Sequence, residues 1–207
     1  MRLENIQSAA SNETVWAVVL GAFLATISGF FATQLEAYLR RRERERNSAL
    51  LFGEVLSTLH VILKFAGETR LIGDPYGPVT MRMLRAARRE IDVYDRNREA
   101  LYELRDAVMR TAIHIIIVRL TMAIDGIFDT TQEIAAVQAA AVRPGPAERD
   151  LKADEERLKR LTENRDAGFD FTMETAKGIK PIIAGLGPIA RHSFDSYEKA
   201  VSATQAV

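Results

Sequence analysis

The sequence predicts an all-α protein in which a single N-terminal transmembrane helix continues into a cytoplasmic bundle of long helices. Residues 14–35 carry no charged side chain, and downstream of them apolar residues recur at helical spacing. Pro- and Gly-rich breaks are confined to a few short stretches. We therefore divide the chain into a short extracytoplasmic tail (1–13), a transmembrane helix (14–35), an Arg-rich collar with the first cytoplasmic helix (36–72), a helical bundle (79–200) and a flexible tail (201–207).

The transmembrane prediction depends on the length of the uncharged stretch Thr14–Leu35. A helix of that length measures roughly 33 Å, which is enough to cross a hydrocarbon core of about 30 Å. Trp16 and Tyr38 fall near its two ends, where an interfacial aromatic belt is expected. The stretch is longer than the apolar core of a signal peptide and its N-terminal flank is nearly neutral, so we expect no cleavage.

Basic residues around this stretch predict its orientation. The N-terminal flank has one arginine, Arg2, whereas five follow the apolar run: Arg40, Arg41, Arg42, Arg44 and Arg46. The positive-inside rule then places the N-terminus outside and the C-terminal domain in the cytoplasm, in an inner (plasma) membrane. The five arginines could contact anionic lipid headgroups. The alternative is that they serve only as a stop-transfer flank.

Small side chains recur every four residues along the predicted span, at Gly21, Ala25, Gly29 and Thr33. Such a stripe lets two helix backbones approach closely, which favours a homo-oligomer; the alternative is that the stripe faces lipid. The hydroxyls of Thr26 and Ser28 near mid-membrane are expected to bond to carbonyls of their own helix. In a ring of copies they could instead line a narrow polar path.

The downstream chain is predicted to be helical with four corners. A broad apolar face between Leu50 and Ala66 indicates burial against more than one neighbour. We expect a loop at Gly73–Pro78, a helix from Val79, a corner at 95–97, and a long helix over 98–141, or two helices with a kink near Gly126. Its apolar centre, which contains His114 and Arg119, is too short and too charged to be a second span.

The C-terminal third shows a second break at Ala141–Glu148 and a highly charged helix that follows it. The segment Gly178–Ala190 contains Pro181, Gly185, Gly187 and Pro188, so we expect a packed turn rather than a helix. A last short helix is predicted at 193–200.

Composition narrows the classes of function. The chain has 28 basic and 28 acidic residues, six and five of which lie in the first 46 residues, so the rest has no basic excess for a nucleic acid. Arg82, Arg85, Arg88 and Arg89 are predicted to form a solvated face that pairs with Glu90 and Asp92; a patch for RNA or lipid is the alternative. With no cysteine and three histidines, we expect neither a metal site nor a cofactor.

One pair of side chains has the residue types of a catalytic motif. Arg110 and His114 lie one helical turn apart, and this resembles the Arg–His motif of HEPN ribonucleases, which are helical bundles. The resemblance implies that the pair would orient and protonate groups around a scissile phosphate. The spacing here is three intervening residues, and Thr111 stands where that motif has an amide or an acid. The alternative is a partly buried histidine beside an arginine paired with an acid. Arg119 is predicted to pair with Asp125 or Asp129.

The overall layout is similar to that of small bacterial inner-membrane proteins with one N-terminal span, an Arg-rich collar and a cytoplasmic helical domain. It also resembles the membrane accessory proteins of RNA-targeting CRISPR systems, and this implies rings whose anchors form a pore below a divergent HEPN-like domain. Both resemblances rest on residues 14–46 and on the Arg110/His114 pair.

Three functions follow as expectations. The first is a non-enzymatic, membrane-anchored protein that self-associates as a scaffold or as a membrane pore or effector, with bacterial antiviral defence as the setting that the resemblance implies. The second is a membrane-tethered HEPN-like ribonuclease. The third is an adaptor that recruits a cytoplasmic protein partner to the lipid bilayer.

Overall fold

The computed structural model describes residues 4–142 and 151–194, with side-chain surroundings for Trp16, 19–141 and 152–194. The elements in chain order are α1 (Glu4–Arg70), α2 (Pro78–Arg96), a 3₁₀ helix (Arg98–Glu103), α3 (Ala107–Val142), α4 (Leu151–Lys177) and α5 (Ile179–Ala190). Within the described ranges every element is helical, which confirms the all-α prediction. The predicted tail at 201–207 and most of the predicted break at 141–148 lie outside the described residues.

The chain divides into two compact units, one that ends at Arg44 and one that begins at Glu45. In the described part of the first unit, residues 4–44, the chain forms the N-terminal part of α1, which is already helical at Glu4, inside the stretch predicted to be a tail. The second unit contains the rest of α1 and all the other helices.

The second half of α1 lies in the core of the second unit. Buried apolar side chains recur along one face of the helix: Ala49, Phe52, Val55, Leu56, Leu59, Leu63 and Ala66. They share one cluster with α2, α3, α4 and α5 residues such as Leu84, Ile117, Phe169 and Leu186. The broad apolar face predicted between Leu50 and Ala66 is therefore confirmed as a core face.

The turn between α1 and α2 lies at the predicted break. Gly73 has a φ of 82°, a left-handed conformation that glycine adopts at no steric cost. Asp74 closes the turn, because its carboxylate accepts a hydrogen bond from the Tyr76 N–H (3.0 Å) and its carbonyl accepts one from the Gly77 N–H (3.0 Å). Pro78 then starts α2 at a position where a helix needs no N–H donor.

The predicted helix over 98–141 is wrong at its start. A 3₁₀ helix ends at Glu103, and α3 begins only at Ala107. The reason is Asp106, whose side chain accepts hydrogen bonds from the N–H groups of Val108 (2.8 Å) and Met109 (3.2 Å) and so caps the new helix. Beyond that point α3 has no break at Gly126.

The predicted packed turn at Gly178–Ala190 is also wrong, because Ile179–Ala190 forms helix α5. Pro181 lies in the first turn, where N–H groups have no intrahelical acceptor, and Pro188 lies near the end, so neither proline breaks the helix. Arg191 closes α5 with a left-handed φ of 51°, and the His192 N–H donates to the Gly187 carbonyl (3.2 Å). In the predicted last helix, Ser193 and Phe194 are not helical, and residues 195–200 lie outside the described residues.

Candidate functional site

The first unit presents large apolar side chains to the surroundings on every side of α1. The residues that we call the apolar band are each more than half exposed: Val19, Leu20, Phe23, Leu24, Phe30, Phe31, Leu35 and Leu39. Every residue from 19 to 39 is exposed except Ile27, which is partly exposed. Trp16 (70% exposed) and Tyr38 (50%), the two residues predicted to lie at the membrane interfaces, are near the two ends of the band. A helix that is apolar all round needs an apolar environment, either a protein core or a membrane.

Polar groups within the band are satisfied inside the helix. The hydroxyl of Thr26 donates to the carbonyl of Ala22 (2.8 Å), that of Ser28 to Leu24 (2.6 Å) and that of Thr33 to Gly29 (2.8 Å). The expected bonding of Thr26 and Ser28 to their own helix is thus confirmed for the single chain. Since the backbone groups of an α-helix also pair within the helix, the band leaves few polar groups in need of water.

The small-residue stripe is exposed along the same segment. Gly21, Ala25, Gly29 and Thr33 all face the surroundings. A Cβ atom added at Gly21 or at Gly29 would meet no atom within 4 Å. The stripe is therefore open to a second helix or to lipid.

The five arginines after the band do not share one environment. Arg40, Arg41, Arg42 and Arg44 belong to the first unit and are exposed, and Arg40 forms an ion pair with Glu36 (2.5 Å) at helical spacing. In the second unit, the Arg46 Nε donates to the carbonyl of Ala190 at the end of α5 (3.2 Å). Of the five arginines predicted to contact lipid headgroups, Arg46 therefore contacts another part of the protein instead.

Two helices in the described part of the chain are long and apolar enough to cross a membrane, rather than the one that the sequence predicted. One is the segment Val19–Arg70 within α1 and the other is Ala107–Ala141 within α3. Length and composition do not distinguish a membrane span from a core helix, and the most apolar window is 50% buried in Val19–Arg70 and 33% buried in Ala107–Ala141. The sequence prediction excluded this second candidate span, because the apolar centre around His114 and Arg119 is shorter than the whole helix.

Arg110 and His114 lie one turn apart on α3, as the spacing predicted, but they contact different groups. The Arg110 guanidinium donates to the carbonyls of Leu104 (2.6 Å) and Arg105 (3.2 Å), which precede α3. The His114 Nδ1 lies 3.0 Å from the hydroxyl of Tyr94 on α2, and the two rings stack at 6.5 Å. Both side chains therefore join α3 to neighbouring elements.

The predicted ion pair of Arg119 is wrong. Asp125 instead accepts a hydrogen bond from Arg88 Nε on α2 (3.0 Å), and Arg88 also pairs with Asp92 (2.5 Å). Arg119 lies over the ring of Phe171 on α4, with its guanidinium carbon 4.8 Å from the ring centre. The pairing of the α2 arginines with Asp92 is confirmed for Arg88.

A polar cluster joins α1, the following turn and α4, and sequence reasoning missed it. Arg70 pairs with Asp166 (2.8 Å) and Asp170 (2.6 Å), and the Tyr76 hydroxyl donates to Asp166 (2.6 Å). Arg165 stacks on Tyr76, 3.8 Å from the ring centre. Burial and the hydrogen bond to Asp166 raise the pKa of Tyr76 well above its ordinary value. The partners are about a hundred residues apart, so no local pattern marks them.

The second unit also has a cavity of about 510 Å³ between α1, α5 and the segment after α5. Among its lining residues are His60 on α1, Lys180 on α5 and His192 beyond it. No group of three or more His, Asp or Glu side chains suited to a metal ion occurs in the part of the chain that the structure describes.

Comparison with protein-family models, with curated proteins and with solved structures finds no match to this chain. The function proposed below is therefore based on the sequence and on the geometry described above.

Proposed function

We propose that this chain is a membrane-anchored, self-associating helical scaffold, with one span at Thr14–Leu35 that tethers the second unit to the cytoplasmic face of a membrane. The observation that carries this proposal is the apolar band, whose eight large side chains are each more than half exposed. Burying one such side chain is worth about 1.5–3 kcal/mol, so full burial of eight gives roughly 12–24 kcal/mol in favour of an apolar environment.

Helix α3 has the length of a span, but its contacts support a role in the core of the second unit. One face is buried at Ile113, Ile117 and Ile124. Its middle carries Arg119 and Asp125, and a charged residue at the centre of a span costs about 2.5–3.5 kcal/mol. Arg119 and Asp125 contact α4 and α2 respectively, which suits a helix packed among neighbours. These contacts support the proposal of a single span.

The arginine asymmetry around the span supports an N-terminus outside and a second unit in the cytoplasm. Arg40, Arg41, Arg42 and Arg44 would then lie at the level of anionic headgroups, where each contributes about 1 kcal/mol of attraction. This orientation can be tested with a reporter that is active only in the cytoplasm, fused to the N-terminus in one protein and to the C-terminus in another. Cytoplasmic activity of the N-terminal fusion would contradict it.

Self-association through the stripe of Gly21, Ala25, Gly29 and Thr33 is the second part of the proposal. Two copies could pack closely there, because a Cβ at Gly21 or Gly29 would meet nothing within the chain. The hydroxyls of Thr26 and Ser28 already bond within their own helix, which favours a packed scaffold over a polar pore. Arg110 and His114 are engaged within the second unit, so we propose no enzymatic activity for them.

The mass of the full chain in detergent tests self-association. We expect a discrete oligomer for the natural chain and a shift toward monomer for Gly29→Leu, because the added side chain separates the backbones. Ile27→Leu, on the other side of the helix, is the matched control and should keep the oligomer. A monomeric natural chain in several detergents would overturn this part of the proposal and leave the anchor intact.

A further inference from the structure

Three contacts define the end of the second unit at which α1 enters it. Glu45, the first residue of the unit, accepts a hydrogen bond from the Arg105 N–H (3.1 Å) and forms an ion pair with the Arg105 guanidinium (3.2 Å). The hydroxyl of Ser48 donates to the carbonyl of Ala100 in the 3₁₀ helix (2.5 Å). The segment 98–108, which contains the 3₁₀ helix and the start of α3, therefore lies beside residues 45–48 of α1. We call this part of the molecule the Glu45 end.

The Glu45 end carries two large apolar side chains that the second unit leaves uncovered. Tyr102 is 76% exposed and Val108 is 79% exposed. Each is three residues from Arg105, so its Cα atom lies within about 11 Å of the Arg105 Cα atom. Tyrosine is enriched at membrane–water interfaces, because its ring is apolar while its hydroxyl can remain hydrated. The composition of this surface thus suits the interfacial region of a bilayer.

The chain between the Glu45 end and the proposed span is short. Tyr38, which is predicted to lie at the membrane interface, precedes Glu45 by seven residues, and seven residues of chain reach at most about 25 Å. Contact between the Glu45 end and the bilayer would be intramolecular, at a high effective concentration, so a small surface suffices. A stable interface with another protein buries about 800 Å² on each side from roughly 20–30 residues, far more than two side chains provide. The short tether and the small surface therefore favour the bilayer over a second copy of the chain.

The charges of the segment 98–108 also indicate how it would contact lipid. Two arginines and three acids occur in it: Arg98, Arg105, Glu99, Glu103 and Asp106. Arg105 is paired with Glu45, and Asp106 caps α3. Since the segment has no basic excess, attraction to anionic lipid is not the basis of the contact. The contact would depend on Tyr102 and Val108, with any phospholipid.

We infer that the Glu45 end rests on the cytoplasmic face of the bilayer, with the side chains of Tyr102 and Val108 in the headgroup region. The contact would restrain the second unit at the membrane surface and leave its other surfaces open to the cytoplasm. This inference rests on the proposed function, because it requires Thr14–Leu35 to be a span. Leu71 and Ile72 provide an internal comparison, since they are as exposed (86% and 78%) but follow the other end of α1.

Spin labels on the full chain in phosphatidylcholine vesicles test the inference. The chain has no cysteine, so one substitution gives one label: Leu24→Cys, Leu71→Cys, Ile72→Cys, Tyr102→Cys or Val108→Cys. Electron paramagnetic resonance then compares how often each label collides with oxygen, which concentrates in lipid, and with a nickel chelate, which stays in water. We expect the ratio of oxygen to nickel collisions to be highest at 24, intermediate at 102 and 108, and lowest at 71 and 72.

The other outcomes separate this inference from the proposed function. A high ratio at 24 with equal, low ratios at 71, 72, 102 and 108 would overturn the inference and leave the span intact. A low ratio at 24 would refute the span and the inference together. Labels at 102 and 108 that neither reagent reaches would mean that protein covers this surface, which would also overturn the inference. So would a raised ratio that appears only after phosphatidylglycerol is added, because the contact would then depend on anionic lipid.

A matched pair of variants tests the two side chains themselves. Ala107 is exposed beside Val108, so a label in Ala107→Cys reports on this surface while Tyr102 and Val108 remain in place. Replacing both Tyr102 and Val108 by serine should lower the ratio at 107 toward that at 71, because the apolar contact is lost without a change of charge. The same replacement of Leu71 and Ile72 should leave the ratio at 107 unchanged. An equal ratio at 107 in all three chains would refute the role of Tyr102 and Val108.

Discussion

An arginine placed in each of the two apolar helices separates a membrane span from a core helix. Leu24 lies in the middle of the proposed span and is 55% exposed, whereas Met122 lies in the middle of α3 and is 71% exposed. Both side chains are large, apolar and exposed, Leu24 in the first unit and Met122 in the second, so burial within the protein does not distinguish them. Only the environment outside the protein does.

The expected costs differ by several kcal/mol. At the centre of a span, leucine contributes about −0.5 kcal/mol to insertion and arginine costs about 3 kcal/mol, so Leu24→Arg should disfavour insertion by roughly 3.5 kcal/mol. Since every 1.4 kcal/mol is a factor of ten, the ratio of inserted to non-inserted chain should fall a few hundredfold. Met122→Arg on a water-exposed face should change stability by no more than about 0.5 kcal/mol.

Extraction of membranes at alkaline pH, together with an insertion reporter, measures both variants. We expect the natural chain and Met122→Arg to stay in the membrane fraction and Leu24→Arg to leave it. Thermal unfolding of Met122→Arg by circular dichroism checks that the variant is folded. If the insertion reporter showed α3 inserted in the natural chain and no longer inserted in Met122→Arg, α3 would be a span and the single-pass proposal would be wrong. Retention of Leu24→Arg would refute the anchor.

Three further predictions concern the second unit. Gly53→Ala should destabilise it by about 1–3 kcal/mol in chemical unfolding, because the new methyl group overlaps the ring of Phe194. His114→Ala should cost about 1–3 kcal/mol, because the buried Tyr94 hydroxyl loses its partner; Tyr94→Phe in the same chain should recover part of that loss. The raised pKa of Tyr76 means that its contribution to stability is complete below about pH 10 and is lost as the pH rises above this value. Between pH 9 and pH 11, the thermal midpoint of Tyr76→Phe should therefore fall less than the thermal midpoint of the natural chain.

Each of these three predictions has a control variant or an outcome that would contradict it. Gly126→Ala, which meets nothing within 4 Å, should be neutral or stabilising; an equal loss in both glycine variants would contradict the packing argument. Additive effects of the Tyr94 and His114 substitutions would show that the two side chains are not coupled. An identical alkaline transition with and without the Tyr76 hydroxyl would assign that transition to other groups, such as Tyr94, whose pKa burial also raises.

Local patterns predicted the fold where one residue type decides the local geometry. The turn between α1 and α2 was predicted from Gly73, Pro75 and Pro78, and the structure has it there. The apolar spacing over 50–66 identified a core face. The start of α3 could have been found from Asp106, since an aspartate two and three residues before free N–H groups is a helix cap. The prediction of a helix that begins at residue 98 did not take this cap at Asp106 into account.

The errors that remain come from context that spacing does not encode. Prolines at 181 and 188 suggested a turn, but a proline is harmless in the first turn of a helix, and the position of that turn is known only once Gly178 ends α4. Arg119 was assigned to an acid one or two turns away, yet Arg88 on another helix takes Asp125. The cavity and the cluster around Arg70 and Asp166 join residues about a hundred positions apart or more, which no pattern in one sequence reveals.

Helix α1 shows how the arrangement of apolar residues, rather than their number, indicates what covers them. In its second half, buried residues follow helical spacing while Lys64 is exposed and Glu54 is partly exposed, so one face is covered by protein. In its first half the apolar band extends round the whole helix, and from Val19 to Leu35 no charge marks a face for water. A helix with no polar face that packs on one side only leaves the apolar side chains of its other side in water, which is unfavourable. This difference within one helix is why we propose a bilayer for the first half and a protein core for the second.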